Sequence, residues 1–458
     1  MRKAHFTLSI LIIFAISLSF LAGCAPAATP TAEPVKTEAP KPTEPPPPTE
    51  APAPTSEAPQ APEPTQPAAP AKPFEGREIT VLLIADKTWV PDQAKIFEDE
   101  TGAKVNVILA DYEDMVTKFN AAAAAKSGAF DVTPGDDPTW FMAGYLEPLD
   151  EYMKELDQED ITGLDMREYQ GKRYGMPWLI DNRVFLYNTD LLKQAGFDAP
   201  PKTWDEWFNQ AKAIKDQGIL EYPIMMPWTQ HEGEFCDNSA WFVSAGGTFF
   251  NEDMTESVLN SPENVAALDF LKKLNDAGLV NPDSLASKSF ALTQVLAQGK
   301  AAFGTSWNLL TGMLEDPAQS TQVGKVKVAL YPGAQEGMTG TFDGSETLAI
   351  TTDSKDKELA WAFIKFLTGK EIEKKTFMEQ KVLPIWVSLY EDPELIAANP
   401  NLPVLKEQRQ SILFRPSTGW ANEFSSILQV AGLEAITGAK TSQQALDDAK
   451  AATDALMK

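Results

Sequence analysis

Cysteine and histidine are nearly absent from this chain of 458 residues. It contains two cysteines, Cys24 and Cys236, and two histidines, His5 and His231. A protein zinc site is built largely from these side chains, and most catalytic triads need a histidine. Their scarcity excludes a Cys/His zinc cluster and most histidine-based catalytic arrangements. We expect no cofactor, no metal site and no enzymatic activity.

Basic residues are also in the minority. The sequence has 39 Lys and Arg against 65 Asp and Glu, which gives a formal charge of -26 at pH 7. A nucleic-acid-binding protein needs a basic face, so a nucleic-acid partner is excluded. The acidity favours solubility and points to no particular activity. The length predicts two or three domains.

The first 23 residues have the pattern of a signal peptide. Arg2 and Lys3 precede an apolar run over 6–20, and the sequence LAGC ends at Cys24. This pattern is typical of secretion rather than of a membrane span. LAGC resembles a bacterial lipobox, which implies cleavage before Cys24 and lipidation of that residue on the extracytoplasmic face of the membrane. An ordinary signal peptide with a chance cysteine is the alternative.

Proline is concentrated between the signal peptide and the first apolar strand. The segment 24–74 mixes proline with Ala, Thr and Glu and contains the run TEPPPPTEAPAPTSEAPQAPEPTQP. Such a composition cannot bury a core and favours extended chain. At about 3.1 Å per residue, some fifty residues could reach roughly 150 Å. We interpret 24–74 as a disordered tether behind the lipidated Cys24.

From about residue 75 the pattern alternates between strands and helices. Apolar runs at 79–84, 104–109 and 130–132 are each followed by a helical segment. Alternation of this kind predicts an α/β fold with a largely parallel sheet. In open α/β sheets, ligands bind outside the carboxyl ends of the strands. Two charged pairs follow such ends: Asp86 with Lys87, and Asp136 with Asp137.

The stretch 171–196 combines a turn, an apolar strand over 184–187 and a helix that opens at 188–190, capped by Thr189 or Asp190. Asp181 and Arg183 lie beside the strand. A charge in an apolar setting needs a partner or a function. Either residue could contact a ligand, or the two could form an ion pair with each other.

Several motifs occur in a recognisable order. They are GxxYGxPW, LYNTDLLKQAGF and PPKTWDEW, followed by AWFVSAGGTFFNED, GKAAFGTSW and ELAWAFIKFLTGKE. Over about residues 77–456 this order resembles the family-1 extracellular solute-binding proteins of ABC importers, the maltose- and multi-sugar-binding group. The resemblance implies a monomer that binds a carbohydrate and delivers it to permease subunits.

The resemblance also implies a two-lobed, type II periplasmic-binding-protein-like fold with the ligand in the cleft between the lobes. We expect lobe one to contain 75–180 and 305–345, and lobe two to contain 181–304 and 346–458. The chain would cross between the lobes near 177–183, 303–307 and 343–349. A ligand that contacts both lobes would favour their closure.

Sugars present hydroxyl groups and an apolar ring face, which suit carboxylates, amides and flat aromatic side chains. The expected ligand-binding residues are Asp86, Lys87, Asp136, Asp137, Trp178, Asp181, Arg183, Trp228, Glu232, Trp307, Asn308, Glu346 and Trp420. Trp307 matches the family's stacking position, although Thr305-Ser306-Trp307 stands where the family often has GPW. The structural alternatives are a solvated turn at Asp86, a helix cap at Asp137 and core packing for the tryptophans.

Two other functions are compatible with these residues. A polyamine or peptide could use the same acidic and aromatic side chains through cation–π contacts. A glycoside hydrolase would need two correctly spaced carboxylates, but no sequence motif supports it.

Overall fold

The computed structural model describes residues 72–458, and all elements below belong to one unit, Ala68–Lys458. The predicted signal peptide, Cys24 and all but the last few residues of the predicted tether lie outside the described residues. No helix within 72–458 is both long and apolar enough to cross a membrane.

The elements alternate along the chain, which confirms the α/β class. The strands are β1 (Glu78–Ile84), β2 (Lys104–Ala110), β3 (Val132–Pro134), β4 (Glu168–Tyr169), β5 (Lys172–Arg173), β6 (Met176–Leu179), β7 (Arg183–Asn188), β8 (Ile224–Met225), β9 (Phe303–Trp307), β10 (Val326–Ala329), β11 (Thr341–Phe342), β12 (Glu346–Ile350) and β13 (Ile412–Leu413). The α-helices are α1 (Val90–Thr101), α2 (Tyr112–Ala124), α3 (Pro138–Met142), α4 (Asp150–Met153), α5 (Thr189–Gln194), α6 (Trp204–Asp216), α7 (Glu232–Ser244), α8 (Pro262–Asp276), α9 (Ser289–Ala297), α10 (Gly312–Glu315), α11 (Lys357–Leu367), α12 (Lys370–Gln380), α13 (Pro393–Ala398), α14 (Leu402–Gln408), α15 (Ala421–Ile436) and α16 (Ser442–Leu456). Short 3-10 helices cover Gln158–Asp160, Pro282–Ala286, Asn308–Thr311, Val387–Glu391 and Arg409–Ser411.

The first sheet has the strand order β2-β1-β3-β12-β6. Strand β1 runs parallel to β2 and β3, as the alternation predicts, whereas β12 runs antiparallel to β3 and β6. The run Val81–Leu83 is fully buried because helices cover both faces of a sheet of this kind. The carboxyl ends of β1, β3 and β6 and the amino end of β12 therefore lie along one edge.

The second sheet has the order β10-β7-β9-β8. Strand β7 is antiparallel to both neighbours, and β9 runs parallel to β8. Phe185 of β7 packs edge-on against Trp207, which stacks on Trp241 with 4.9 Å between ring centroids. This aromatic cluster forms the centre of a second hydrophobic core.

These sheets divide the chain differently from the predicted lobes. Strand β10 belongs to 305–345, the segment expected in lobe one, but pairs with β7 in the second sheet. Strand β12 belongs to 346–458, expected in lobe two, but lies between β3 and β6 in the first sheet. The chain does not cross at 303–307 either, since β9 pairs with β7 over its whole length. From β9 the chain continues to β10 of the second sheet and then to β11, which pairs with β13, before it enters the first sheet at β12.

The segment 180–182 links β6 of the first sheet to β7 of the second, and 343–345 links β11, which pairs with β13, to β12 of the first sheet. They are hydrogen-bonded to each other, because the Gly344 amide donates to the Asp181 carbonyl at 3.0 Å. A third segment reaches both connections through Arg409, whose Nη1 lies 3.5 Å from the Asp181 carbonyl oxygen and 3.5 Å from Asp343 Oδ1. We call 180–182, 343–345 and 409–411 the hinge segments.

The helix after β7 begins differently from the sequence prediction. Asn188, rather than Thr189 or Asp190, is its N-cap, and the Asn188 side chain accepts from the amides of Asp190 and Leu191. Thr189 instead donates its hydroxyl to the Lys325 carbonyl at 3.0 Å. Asparagine is as good an N-cap as aspartate or serine, and here the pairing of β10 with β7 occupies the threonine.

Candidate functional site

Lys87 lies at the edge of the first sheet, directly after β1. Its side chain is 1% exposed, and its Nζ donates to Asp86 and Glu346, each at 2.8 Å. Burial alone would lower the pKa of Lys87, but the two carboxylates outweigh it and raise the pKa above its ordinary value. Asp86 remains half exposed. Lys87 is therefore a buried cation that is paired with two carboxylates. Asp86 is as exposed as a residue in a solvated turn, the alternative considered for it.

Glu346 begins β12 and reaches the same edge because β12 runs antiparallel to its neighbours. Burial raises the pKa of Glu346 to about 7, and Lys87 opposes this rise. The nearby carboxylates of Asp136 and Asp86 raise it further. Glu346 thus lies beside the charges that follow β1, and its contact with a ligand remains a prediction.

Asp136 and Asp137, which follow β3, have different roles. Asp136 accepts from the Thr347 amide and hydroxyl, each at 3.0 Å, and lies 3.1 Å from Arg167. Burial raises the pKa of Asp136, and Arg167 opposes the rise. Asp137 instead caps α3 by accepting from the amide of Thr139 at 2.9 Å. Asp137 is therefore a helix cap, which was the alternative considered for it.

Asp181 lies in the first hinge segment and is 6% exposed. Its Oδ1 accepts from the amides of Asn182 at 2.9 Å and Leu309 at 3.3 Å. Burial raises the pKa of Asp181 to about 7 despite these two amides. Within 72–458, no cationic side chain lies within ion-pair distance of this carboxylate. The suggested ion pair with Arg183 is therefore not formed.

Arg183 is fully buried and pairs with a residue that the sequence analysis missed. Its Nη2 lies 2.7 Å from Oδ1 of Asp237, which is also fully buried. Arg183 donates as well to the hydroxyls of Ser289 at 2.9 Å and Thr305 at 3.1 Å. Arg183 thus links β7 to α7, α9 and β9, and every one of these hydrogen bonds is to protein.

Trp307 is the last residue of β9, and Asn308 begins the 3-10 helix that follows it. Trp307 is partly buried, and the Arg183 guanidinium carbon lies 4.9 Å from its ring centroid. Asn308 is 1% exposed, and within the described residues neither atom of its side-chain amide has a hydrogen-bond partner. Trp307 therefore offers a partly accessible aromatic surface two residues before Leu309, whose amide donates to the Asp181 carboxylate.

Glu232 and Trp420 approach from the second sheet's side. Glu232 begins α7, is half exposed, and accepts from Arg415 and from the Ser425 hydroxyl, the latter at 2.6 Å. Trp420 precedes α15, and its ring packs 5.7 Å from Phe250. Only part of its surface is buried. Both residues retain surface that a ligand could contact.

Trp178 and Trp228 are corrections to the expected site. Trp178 is 6% exposed in the first core, and Trp228 is fully buried in the second. Both rings are largely enclosed by protein, although Trp178 also lines a small cavity with Gln93, Glu373 and Thr376. Trp178 and Trp228 are therefore core residues, which was the alternative considered for the tryptophans. Neither belongs to the candidate site.

Sequence reasoning also missed several residues near this edge. Arg415 lines a cavity of about 550 Å³ together with Phe414 and with Asp165 and Arg173 of the first-sheet side. Tyr112 is about half exposed at the carboxyl end of β2. Arg415 could have been found, since it stands five residues before Trp420 in the motif RPSTGW. Asp237 and Arg167 carry no local signal, because only the tertiary fold brings them to their partners.

Among residues 72–458, no three His, Cys, Asp or Glu side chains are placed so that they could hold a metal ion. The site consists of carboxylates, buried cations and the partly accessible indoles of Trp307 and Trp420.

The fold and this site define a class of protein. Residues 82–374 match the family described as bacterial extracellular solute-binding protein, and the chain belongs to that family. The two-lobed architecture is also that of solved relatives. Maltose-bound MalE3 of T. maritima superposes with a TM-score of 0.75 at 25% identity, covering 83% of this chain and 100% of that one.

Two further relatives indicate the range of the family. A solute-binding protein of Agrobacterium radiobacter K84 in complex with ribitol gives a TM-score of 0.73 at 27% identity, over 84% of this chain and 100% of that one. The diacetylchitobiose binding protein DasA of Streptomyces coelicolor is 27% identical over 328 residues, 68% of this chain and 74% of its own.

Other matches are shorter. A probable ABC transporter-binding protein of Deinococcus radiodurans is 28% identical over 262 residues, which are 56% of this chain. The match spans 62% of that relative's length, less than two thirds.

Proposed function

We propose that this protein is the substrate-binding component of an ABC importer, that it binds a mono- or oligosaccharide between its two lobes, and that it delivers the sugar to permease subunits. The observation that carries the proposal is that Glu346 lies close enough to Asp136 and to Asp181 for their charges to interact, and that it stands two residues after Gly344, which meets the partly accessible ring of Trp307. The carboxylates can accept from sugar hydroxyls, and the ring can cover the apolar face of a pyranose.

The ligands named for similar proteins support this class. Maltose, diacetylchitobiose and ribitol are bound by the relatives above, and a Bacillus subtilis relative that is 23% identical over 382 residues is a galactooligosaccharide-binding protein. All are rich in hydroxyl groups. A hydroxyl-rich ligand suits a site whose cations are already paired with protein carboxylates.

Lobe closure is the proposed mechanism of recognition. Carboxylates at the edge of the first sheet and Trp307 and Glu232 from the second sheet's side contact one ligand only when the lobes close. Because the ligand gains contacts in the closed state, it shifts the equilibrium toward that state. The hinge segments 180–182, 343–345 and 409–411 are the parts of the chain that would change conformation.

The cellular setting is proposed from the sequence. Cys24 would carry the lipid that anchors a monomer on the extracytoplasmic face of the membrane, with 24–74 as the tether. Mass spectrometry of the purified membrane-bound protein tests this: a diacylglyceryl group on Cys24 is expected, and an unmodified chain would contradict it.

Calorimetric titration against mono-, di- and trisaccharides tests the proposed function. We expect at least one sugar to bind, and at pH 8, where a carboxyl with a pKa of about 7 is ionised, we expect Asp181→Asn to weaken binding because one sugar hydroxyl loses a charged acceptor. Asp276→Asn is the matched control, since Asp276 is an exposed partner of Lys272 on α8. A protein that binds no saccharide, or one that releases hydrolysed products, contradicts the proposal.

A polyamine is the second candidate ligand, favoured by the lack of a cationic partner for Asp181 among the described residues. The same titration with spermidine separates the two classes. Binding of spermidine without binding of any sugar would favour the polyamine.

A further inference from the structure

The fully buried pair of Arg183 and Asp237 has a geometry that packing alone does not explain. A buried ion pair is on average no better for stability than apolar residues of the same volume. Four elements meet at this pair, because Arg183 of β7, paired with Asp237 of α7, also donates to Ser289 of α9 and Thr305 of β9. The guanidinium is therefore fixed in position and orientation.

The fixed guanidinium supports one aromatic ring. Arg183 and Trp307 face each other directly in the register of β7 and β9, so their side chains lie on the same side of the sheet. The guanidinium carbon lies 4.9 Å from the Trp307 ring centroid, within the range of a cation–π contact. Any movement of the ring toward Arg183 is blocked by a side chain that cannot itself move.

Gly344 of the second hinge segment meets the same ring. A Cβ at this position would lie 2.3 Å from Cζ3, 2.9 Å from Cε3 and 3.0 Å from Cη2 of Trp307. Gly344 does not have a positive φ, so the glycine is needed for space and not for backbone conformation. Its amide is also bonded to the Asp181 carbonyl at 3.0 Å.

We propose that Arg183, fixed by Asp237, and Gly344 are positioning residues that together hold the Trp307 ring where it contacts the ligand. The inference rests on the proposed function, in which Trp307 covers the face of a sugar. Because Gly344 belongs to a hinge segment, the position of the ring is tied to the segment that changes when the lobes close. Trp307 would thus reach its binding position only with the hinge in its native arrangement.

The test uses a complementary pair of substitutions. Gly344→Ala introduces the methyl group that clashes with the six-membered ring of the indole, and we expect it to weaken sugar binding about tenfold or more. Trp307→Phe removes the indole atoms that clash. We therefore expect the double variant Gly344→Ala/Trp307→Phe to bind as well as Trp307→Phe alone.

The role of the ion pair is tested with Arg183→Met/Asp237→Leu, which removes the charges but keeps the volume. We expect weaker binding of a pyranose but little change for an acyclic polyol that offers no flat ring face. If the ion pair had only a structural role, the double variant would bind the pyranose and the acyclic polyol more weakly to the same extent. The inference is wrong if Gly344→Ala binds the sugar with wild-type affinity. It is also wrong if Gly344→Ala weakens sugar binding as much in the Trp307→Phe background as it does in the wild type.

A ligand-free measurement separates this inference from the proposed function. The indole N–H resonance of Trp307 is assigned by its loss in Trp307→Phe. We expect Gly344→Ala and Arg183→Met/Asp237→Leu each to shift that resonance, whereas Asp276→Asn leaves it unchanged. If the resonance does not move, the positioning role is wrong even when a sugar binds. If it moves but no sugar binds, the proposed function fails and the positioning contacts stand.

Discussion

The pair of Arg183 and Asp237 makes a strong prediction about stability. Asp237→Ala leaves a guanidinium in the interior, where both partners are fully buried and 2.7 Å apart. Removing one partner of a buried ion pair destabilises a protein by about 3–5 kcal/mol. The remaining hydrogen bonds of Arg183 are to neutral hydroxyls, and its Nε has no partner within the described residues. We therefore expect a loss in the upper half of that range.

Asp237→Ala also loses stability through a second hydrogen bond. The indole N–H of Trp241 donates to Asp237 at 3.3 Å, and the alanine variant removes this acceptor. Leaving a buried donor unsatisfied costs about 1–3 kcal/mol, although the length of this hydrogen bond places it at the low end. Urea unfolding followed by circular dichroism measures the sum, provided that the slope with denaturant stays constant.

Two comparisons make the result decisive. Arg183→Met/Asp237→Leu should remain within about 2 kcal/mol of the wild type, because apolar residues of similar volume often replace a buried pair without loss. Asp276→Ala removes an exposed partner of Lys272 and should change stability by less than about 0.5 kcal/mol. If Asp237→Ala lost less than about 1 kcal/mol, or if the double variant lost as much as Asp237→Ala, the reasoning would be refuted.

Three further predictions concern pH, the core and a helix cap. Asp181 and Glu346 have pKa values raised to about 7, so the folded state holds more protons than the unfolded state from about pH 4 to 7. The free energy of unfolding without ligand should therefore fall as pH rises through that window, by up to about 1.4 kcal/mol per pH unit for each group, and Asp181→Asn should reduce the slope in a urea titration series. Trp207→Ala should cost about 3–5 kcal/mol in urea unfolding, because the ring is fully buried against Trp241, and a loss under about 1 kcal/mol would contradict that packing. Asn188→Ala should cost about 1 kcal/mol by removing the cap that accepts from two amides, and an unchanged unfolding midpoint would show that Asn188 is not the cap.

The first-sheet strands were predictable because their apolar runs carry a local signal. Strands β1 and β2 coincide with the predicted runs to within a residue or two, and their parallel pairing follows from the alternation with helices. The charged residues after β1 and β3 were also found, since the edge of a parallel sheet is defined by strand direction alone. Asp86, Lys87 and Asp136 lie at that edge.

Strand partners were not predictable for the second half of the chain. Nothing local to 326–329 or 346–350 tells which sheet each strand joins, and the two were assigned to the opposite lobes. Buried rings were equally ambiguous, because Trp178, Trp228 and Trp307 have similar local sequences of mixed character. Only the packing around them decides that the first two are core and that Trp307 is partly accessible.

The sequence by itself determined the class of the protein, its acidic and cysteine-poor chemistry, the alternation of its elements and the first connection between the two sheets, at 180–182. Each of these depends on composition or on residues close together in the chain. The tertiary structure alone decided that Arg183 pairs with Asp237 rather than with Asp181, and that Gly344 meets Trp307. Those contacts join residues 37 to 54 positions apart. They depend on how two sheets and a hinge pack in space, which no local pattern records.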